Sequence, residues 1–384
     1  MTTPKESLLL LLDSAPLTWT SQEDRHLLLC RELIARGIQP VVVFSAPLKP
    51  EFEERFLTAG AVLFAVNYAA GLNQFYRGLK QIVADHNVSI AHIIFFDYFS
   101  PVAWVVRATG VTNIIYEMQN SGIFRATSWK KVLLRARTSV MTAPIKRFIA
   151  ISEFVKEQLV KAGVARSRIT VRYLGIDNER FTPDRSAKTE LSEKYNVSPE
   201  ELILSTVSYL RPFKNPQVLV QGCRELKNRN VPARLFVAGD GEMLSSLKEL
   251  TRQLEIEEVI HWLGNVADPK SLLQASDVFL LASTGEAFGL VLAEAMACGV
   301  PIIGTRSGSL PEVVEEGKTG LLVPPNDPKA LANAIETLSK DPRLRTAMAD
   351  NCVERVKNHF TVQQAVSSTL DIYDSLNHST YESA

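Results

Sequence analysis

Two carboxylates, Glu286 and Glu294, stand eight positions apart in the most distinctive stretch of the sequence. Glu286 belongs to a loop that follows an apolar run, 277–282, and Glu294 lies among good helix formers that end before Gly299. A short strand, 300–303, comes next, so the order predicts a parallel-sheet crossover unit. The carboxylate of Glu294 can accept hydrogen bonds from both hydroxyls of a ribose. Glu286 is expected to face any ligand that the loop binds.

The start of the predicted helix is a candidate anion site. Phe288, Gly289 and Leu290 open the helix, so their peptide N–H groups have no acceptor inside it, and the helix dipole favours a phosphate there. Gly289 also lets a ligand approach the backbone closely. We therefore expect a phosphate-bearing ligand at these three residues.

The string Glu286-(seven residues)-Glu294 resembles the E-x7-E motif of retaining GT-B glycosyltransferases of family 4, the glycosyl transferases group 1 type. The resemblance extends over most of the chain, strongly after about residue 145 and more loosely before it. It implies that Glu294 binds the ribose of a nucleotide-diphosphate sugar and that Glu286 faces the donor sugar. It also implies that the backbone of residues 288–290 meets donor oxygens. The alternative is two solvated glutamates on a helix and its loop.

The length and composition suit the fold that this family implies. The chain has 384 residues, 46% hydrophobic and 22% charged, as expected for two globular α/β domains. We predict a GT-B fold: two Rossmann-like doubly wound parallel-sheet domains with a cleft between them and a C-terminal helix crossing back. The predicted segments are an acceptor-side domain, 1–180, a nucleotide-sugar-binding domain, 181–360, and a crossover helix, 361–384. Apolar residues at helical spacing predict that helix, namely Val362, Val366, Leu370, Tyr373 and Leu376.

Charge and cysteine usage narrow the class of protein further. The formal net charge is zero, so nothing indicates a nucleic-acid partner. The four cysteines are widely scattered, which favours a reducing compartment and argues against zinc. The apolar run 8–12 is too short to span a membrane, and no signal-peptide pattern surrounds it. We therefore expect a cytoplasmic protein.

A basic loop in the second half of the chain is predicted to bind the donor diphosphate. In the family this loop reads Gly-Arg-Leu, a few residues and then Lys; here Lys214 matches the lysine and Tyr209 takes the arginine position. Arg211 lies two positions further on, and in an extended segment such residues point the same way. We expect Lys214 to contact phosphate and Arg211 to substitute for the missing arginine. The alternative is that Arg211 is only a surface residue.

Two further loops resemble donor-binding segments of the family. Gly241 follows a predicted strand, where a glycine allows close approach of a ligand to the backbone. Val266 lies in the segment whose backbone pairs with the donor base in relatives. Neither residue identifies the base.

The first half departs from the family at two places. Relatives carry a Gly-Gly pair before the first helix, where this chain has the bulkier stretch Leu17–Gln22. They also place a histidine near the reaction centre, where this chain has Gln119. A glutamine donates and accepts hydrogen bonds but cannot hold a proton, so its contribution must be positional. A polar residue that merely ends a strand is the alternative.

The segment from Met118 to Ser152 contains no acidic residue, but it is rich in arginine, lysine and apolar residues. Relatives that use lipid-linked acceptors sit on anionic membranes by such a surface, so the resemblance implies peripheral membrane contact through residues 125–147. A solvated helix face is the alternative.

No D-x-D triplet and no His/Cys group with metal-ligand spacing occurs in the sequence. We expect no metal and no other cofactor, since Lys214, Arg211 and the helix N-terminus would carry the diphosphate charge. In the inferred mechanism, Glu286 lies beside an oxocarbenium-like sugar and the acceptor attacks from the face of the departing phosphate, which retains the anomeric configuration.

The sequence thus predicts a hexosyltransferase of EC class 2.4 that uses a UDP- or GDP-linked donor, in cell-surface glycan or glycolipid biosynthesis. The acceptor, whether glycan, lipid-linked or a small molecule, is open. Two alternatives remain: a catalytically weak donor-binding homologue, suggested by Gln119, Tyr209 and the missing Gly-Gly pair, and another GT-B enzyme such as a nucleotide-sugar epimerase.

Overall fold

The computed structural model describes residues 6–16, 18–97, 100–120 and 128–378. Within these ranges, the side chains of residues 128–133 and 377–378 are left undescribed. The chain divides into two compact units: unit 1 comprises Met1–Leu174 and Val362–Ala384, and unit 2 comprises Gly175–Thr361. The boundary expected at residue 180 falls just inside unit 2.

Unit 1 contains a seven-stranded parallel sheet with strand order β3-β2-β1-β4-β5-β6-β7. An interior strand of this sheet, β1, is a run of leucines because helices cover both faces of such a sheet and both sets of side chains are buried. Leu10 of β1 pairs with Val42 on one side and with His92 on the other. The strands are β1 Glu6–Leu12, β2 Ile38–Phe44, β3 Val62–Ala65, β4 Val88–Ile94, β5 Asn113–Met118, β6 Arg147–Ala150 and β7 Ile169–Val171.

Helices connect these strands, as the sequence pattern predicts. The first begins after Thr20, whose side chain accepts a hydrogen bond from the N–H of Gln22 and forms a capping box with Glu23. It ends before Gly37, which has a φ of 75° that favours glycine. The helices of this part are α1 Ser21–Ala35, α2 Pro50–Thr58, α3 Leu72–His86, α4 Val102–Ala108, α5 Ser128–Met141 and α6 Glu153–Ala162.

Unit 2 contains a six-stranded parallel sheet with strand order β10-β9-β8-β11-β12-β13. The order reverses between β8 and β11, and in open α/β sheets ligands bind at the carboxyl ends of the strands beside such a reversal. The strands are β8 Leu202–Val207, β9 Ala233–Ala238, β10 Ile260–Gly264, β11 Val278–Leu281, β12 Ile302–Thr305 and β13 Gly320–Val323. The helices are α7 Ser186–Tyr195, α8 Pro216–Asn228, α9 Leu244–Gln253, α10 Lys270–Ala275, α11 Leu290–Ala297, α12 Leu310–Val313, α13 Pro328–Lys340 and α14 Pro342–His359.

The last helix, α15 Val362–His378, returns the chain to unit 1. Its apolar face is buried there, in one core cluster with Leu29, Cys30 and Leu33 of α1. The predicted spacing of that face, and the predicted class of two doubly wound α/β units followed by a returning helix, are therefore confirmed. Among the described residues, no helix combines the length and apolarity needed to cross a bilayer.

Candidate functional site

The β11–loop–α11 segment of unit 2 carries the predicted anion site at the start of α11. Gly289 precedes α11 with a φ of 82°, a left-handed conformation that a glycine adopts without strain. A Cβ at this position would also lie 3.2 Å from Cγ of Glu286. Phe288 is buried, and its ring packs edge-on against Phe360 with centroids 5.5 Å apart. The peptides of residues 288–290 are thus held at the helix start, and Glu294 lies buried inside the helix.

Glu286 forms an ion pair with Lys214. The Nζ of Lys214 lies 2.6 Å from Oε2 of Glu286, and the two side chains are 16% and 11% exposed. Lys214 ends a short 3-10 turn, Pro212–Lys214. The carbonyl of Phe213 in this turn accepts a hydrogen bond of 2.8 Å from the N–H of Thr284, so the two loops that carry the ion pair are joined directly.

A second loop supports Glu286 from behind. The peptide N–H of Ser309 donates to the carbonyl of Glu286 at 3.0 Å. Gly308 has a φ of 62°, and a Cβ there would lie 2.6 Å from the backbone N and O of Glu286. This contact requires a glycine. It fixes the backbone on which the Glu286 carboxylate stands.

Tyr209 lines a cavity of about 340 Å³ at the carboxyl ends of the first strands of unit 2. The cavity is lined by residues that follow β8, β9 and β10, including Ser208, Gly239, Asn265 and Val266. Tyr209 is 58% exposed, and the guanidinium carbon of Arg211 lies 4.6 Å from its ring centroid. The structure therefore brings Tyr209 and Val266 to one cavity, and the loop from Tyr209 to Lys214 connects it to the Lys214–Glu286 pair.

Gly241 lies beside this cavity but does not line it. A Cβ at Gly241 would lie 2.6 Å from the carbonyl oxygen of Leu210. The glycine at this position is thus required by close packing of two loops of unit 2. The predicted approach of a ligand to Gly241 stays a prediction.

In unit 1, Gln119 follows strand β5 and lies next to a buried group of charged residues. Glu117 of β5 has a fully buried carboxylate. Arg25 of α1 lies 3.0 Å from it, Arg172 pairs with its other oxygen, and Nε2 of His92 on β4 is 3.4 Å away. His92 also shares a hydrogen bond of 2.7 Å with the hydroxyl of Tyr373 on α15.

The protonation states of this cluster follow from burial and charge. Burial alone would raise the pKa of Glu117, but Arg172 and Arg25 hold it well below the usual value. Burial lowers the pKa of His92, and the two arginines lower it further while Glu117 opposes them. Nε2 of His26 lies 3.1 Å from Nη2 of Arg25, and burial and Arg25 likewise lower the pKa of His26 well below its usual value. At neutral pH the cluster therefore holds one carboxylate, two guanidinium groups and two neutral imidazoles.

Sequence reasoning missed this cluster, although one signal was present. His92 and Glu117 are polar residues inside strands that otherwise read as apolar. A fully buried strand seldom carries such residues without partners, so each of them predicts a buried partner of matching chemistry. The sequence does not say which residues those partners are.

The basic segment 125–147 is only partly described. Arg125 and the side chains of residues 128–133 lie outside the described part of the structure, and so does Leu17 of the predicted bulky loop. In the described part, Val140 of α5 is exposed beside Trp104 of α4, whose indole N–H donates to the Val140 carbonyl at 2.9 Å. Membrane contact through this segment stays a prediction.

All four cysteines lie in the part of the chain that the structure describes. Cys30, Cys223, Cys298 and Cys352 are all buried and free, and burial raises the pKa of the first three to about 12. Across the described ranges, no group of three or more His, Cys, Asp or Glu side chains could hold a metal ion.

Two family models match the chain, and their matches do not overlap. The model "Glycosyl transferases group 1" matches residues 187–355, and "Glycosyltransferase Family 4" matches residues 25–180. Among solved structures, the chain is similar to Anabaena Alr3699/HepE in complex with UDP, with a TM-score of 0.81, 20% identity and coverage of 96% of this chain and 100% of that one. That likeness concerns the fold.

Curated relatives are similar over shorter stretches. The N-acetyl-alpha-D-glucosaminyl L-malate synthase of Bacillus anthracis is 39% identical over 185 residues, 48% of either chain. The GDP-mannose-dependent alpha-(1-6)-phosphatidylinositol monomannoside mannosyltransferase of Mycolicibacterium smegmatis is 27% identical over 286 residues, 70% of this chain and 72% of that one. The chain spans about half the length of the first relatives it matches. With one model on each half of the sequence, the chain belongs to the family 4, group 1 glycosyltransferases.

Proposed function

We propose that this protein transfers a hexose from a nucleotide-diphosphate sugar to an acceptor hydroxyl with retention of the anomeric configuration. The observation that carries the proposal is the Lys214–Glu286 ion pair, held by three bonded loops next to the start of α11. A cation, a carboxylate and the start of a helix together suit a ligand that joins an anionic diphosphate to a sugar.

In the proposed reaction, Lys214, Arg211 and the peptides of Phe288, Gly289 and Leu290 stabilise the charge that grows on the leaving diphosphate. Glu286 stabilises the oxocarbenium-like sugar on its other side. The acceptor hydroxyl forms the new bond to the anomeric carbon, and its proton passes to the leaving phosphate. This charge balance needs no metal ion, so we propose a metal-independent transferase without a further cofactor.

The cavity lined by Tyr209 and Val266 is proposed to bind the nucleoside, and Glu294 is proposed to accept hydrogen bonds from the ribose hydroxyls. The cavity has one exposed aromatic ring for stacking on a base. Both a uridine and a guanosine donor are supported by similar proteins, since HepE was solved in complex with UDP and the mycobacterial relative is a GDP-mannose-dependent mannosyltransferase. We propose one of these two donors.

For the setting of the reaction, we propose cell-surface glycan or glycolipid biosynthesis on the cytoplasmic face of a membrane, with contact through residues 125–147. The exposed Val140 of α5 and the exposed Trp104 beside it on α4 support this surface. Co-sedimentation with phosphatidylglycerol vesicles, compared with phosphatidylcholine vesicles, tests it. Equal binding to the two kinds of vesicle would contradict the membrane role.

The donor site is tested by a thermal-shift screen against UDP, GDP, ADP and their sugar conjugates. A ligand that binds only the folded state raises the melting temperature, so one nucleotide should stabilise the wild type and not Glu294→Ala. Glu249→Ala, which removes an exposed carboxylate of the same unit, is the control and should keep the shift.

Turnover of the stabilising donor is then measured with L-malate, named in the Bacillus relative, among the acceptors. NMR of the product gives its anomeric configuration. No shift from any nucleotide would overturn the donor site. A shift without turnover of any donor, even by water, would favour a donor-binding homologue, and an inverted product would overturn retention.

A further inference from the structure

The turn that carries Lys214 ends at an asparagine in an unusual backbone conformation. Asn215 has a φ of 54°, in the left-handed region, and it directly precedes Pro216, the first residue of α8. Asparagine tolerates this region better than most residues, but the residue before a proline is normally extended. Asn215 is also buried, with only 2% of its surface exposed. Because the local sequence disfavours this conformation, tertiary contacts must maintain it.

Two side-chain hydrogen bonds hold Asn215 in place. Its Nδ2 donates to Oδ1 of Asn326 at 3.0 Å, and its Oδ1 accepts from Nε2 of Gln217 at 2.5 Å. Gln217 belongs to the first turn of α8, whereas Asn326 lies 111 positions away from Asn215, in the loop between β13 and α13. The side chain therefore connects the turn to a distant loop instead of capping the helix that follows it.

The loop that contains Asn326 is itself held in place. The side chain of Asp327 caps α13 by accepting a hydrogen bond of 2.9 Å from the N–H of Ala330. Helix α13 packs closely on α8, since a Cβ at Gly222 of α8 would lie 2.8 Å from Cδ2 of Leu331 on α13. Asn326 stands directly before this cap, so the hydrogen bond that it accepts joins the starts of two packed helices.

The loop after β11 holds the other side of the turn. The carbonyl of Phe213 accepts hydrogen bonds from the N–H of Thr284 at 2.8 Å and from its hydroxyl at 3.1 Å. Lys214 therefore lies between two fixed points, the Phe213 carbonyl and the Asn215 side chain. Its ammonium group lies 2.6 Å from the carboxylate of Glu286. A lysine side chain is long and flexible, so the direction in which it leaves the backbone decides which anions it can reach.

We propose that Asn215 is a positioning residue for Lys214, with Asn326 as the partner that holds it. The hydrogen bond between the two amides maintains the left-handed backbone at the end of the turn, and this backbone directs the ammonium group toward the diphosphate of the donor. The inference rests on the proposed function. It adds two residues of unit 2 that act through the lysine and not on the substrate.

Substitutions to glycine test the proposal, because glycine adopts the left-handed backbone without strain and only the side chain is lost. Asn215→Gly and Asn326→Gly are each made alone and together with Lys214→Met, in the full chain. Asn230→Gly is the matched control, since Asn230 follows the other end of α8, has the same φ of 54° and is exposed. Release of nucleoside diphosphate from UDP-glucose, UDP-N-acetylglucosamine and GDP-mannose gives kcat. Thermal unfolding is measured for every variant.

We expect Asn215→Gly and Asn326→Gly each to lower kcat about tenfold, less than Lys214→Met, because the cation is retained but is no longer held in position. Neither change should lower kcat further when residue 214 is already methionine, since a residue that acts only through the lysine then has nothing to position. Asn326→Asp keeps an acceptor for Asn215 and should retain most of the wild-type kcat. Asn230→Gly should leave kcat unchanged.

Three results would overturn the inference while Lys214→Met still impairs turnover: wild-type kcat in both Asn215→Gly and Asn326→Gly, the same fold loss from them in the Lys214→Met background, or an equal loss from Asn230→Gly. A purely structural role predicts the second result, with losses of kcat that follow the melting temperature. If Lys214→Met itself keeps the wild-type kcat, or if the wild type neither binds nor turns over any of the three donors, the proposed function fails and this inference fails with it.

Discussion

The two units treat their charged residues in opposite ways. In unit 2 the Lys214–Glu286 pair keeps 16% and 11% of its side-chain surface exposed and sits on loops. In unit 1 the Glu117 carboxylate is completely buried among Arg25, Arg172 and His92, and most of these groups stand on strands and helices. A pair that keeps part of its surface in water can exchange its partner for a ligand at a lower cost than a fully buried pair, which cannot separate without leaving a charge in an apolar interior.

This difference separates two tasks. The Lys214–Glu286 pair is suited to bind and release an anion, since phosphate can replace the carboxylate as the partner of the ammonium group. The Glu117 cluster is suited to hold its own strands and helices in one arrangement, since its charges stay paired at all times. Substitutions at the two sites test this difference between the exposed pair and the buried cluster.

The largest expected effect is on stability, from Glu117→Gln. This change leaves two guanidinium groups buried around a neutral amide, and such a loss costs about 3–5 kcal/mol. Urea unfolding measures the cost, and hydrogen exchange should assign it to unit 1. The matched control is Glu258→Gln, which removes an exposed partner of Lys227 and should cost under about 1 kcal/mol. An equal loss of unfolding free energy at the two sites would contradict the idea that the buried cluster depends on its charge more than an exposed pair does.

Lys214→Met should act on turnover instead of stability. Removing a cation from the leaving diphosphate should lower kcat by about 10² to 10³, as for other preorganised electrostatic groups. The melting temperature should change much less than for Glu117→Gln, because the Glu286 carboxylate that the change leaves behind keeps 11% of its side-chain surface exposed. Steady-state kinetics measures the loss, with Lys227→Met as the control. A kcat within twofold of the wild type would remove Lys214 from the site.

The buried histidines should make stability fall as the pH is lowered below about 6.5, the usual pKa of an unfolded histidine. His92 and His26 have lowered pKa values in the folded protein, mainly through burial, so only the unfolded chain gains their protons in this range. Each contributes a slope of about 1.4 kcal/mol per pH unit until its folded pKa is reached. Glu117 adds nothing here, because its stabilisation is lost only below its own unfolded pKa.

Urea unfolding between pH 7 and pH 5 measures this slope. His92→Asn should reduce it by the share of one histidine. A slope that His92→Asn does not alter would mean that His92 takes up a proton in the folded state.

The smallest effect is expected at Tyr209. Its ring holds the Arg211 guanidinium by a cation–π contact worth about 0.5–1 kcal/mol at an exposed site. Tyr209→Leu should therefore weaken nucleoside diphosphate binding severalfold, whereas Tyr209→Phe should keep most of it. Calorimetric titration with UDP and with uridine shows whether the loss depends on the diphosphate. The same loss for both ligands would assign Tyr209 to the nucleoside alone.

The candidate donor-site residues of unit 2 could be named from the sequence because several of them lie close together in it. Glu286, Gly289 and Glu294 belong to one strand–loop–helix unit, where turn chemistry and helix capping fix the local geometry. Lys214 followed from a second short loop. The displaced arginine needed the structure, since the sequence alone does not show that the Arg211 side chain turns back over Tyr209.

The Glu117 cluster was not predictable in the same way. Arg25, His92, Glu117, Arg172 and Tyr373 come from five separate segments, and only the tertiary fold sets them side by side. The sequence did single out Gln119 and the stretch that includes Gln22. It gave no reason to expect the hydrogen bond between their side chains, because Gln22 and Gln119 stand 97 positions apart.

The return of α15 to unit 1 has a consequence for the order of events on the ribosome. Every residue of unit 2 is synthesised before Tyr373, so unit 2 can fold while unit 1 still lacks the helix that packs on α1 and bonds His92. The first domain of a chain usually folds first, but here unit 1 can be completed only after unit 2 has been synthesised. Until translation reaches α15, the apolar face that Leu29 and Leu33 share with it lacks its partner helix, so the core of unit 1 is completed last.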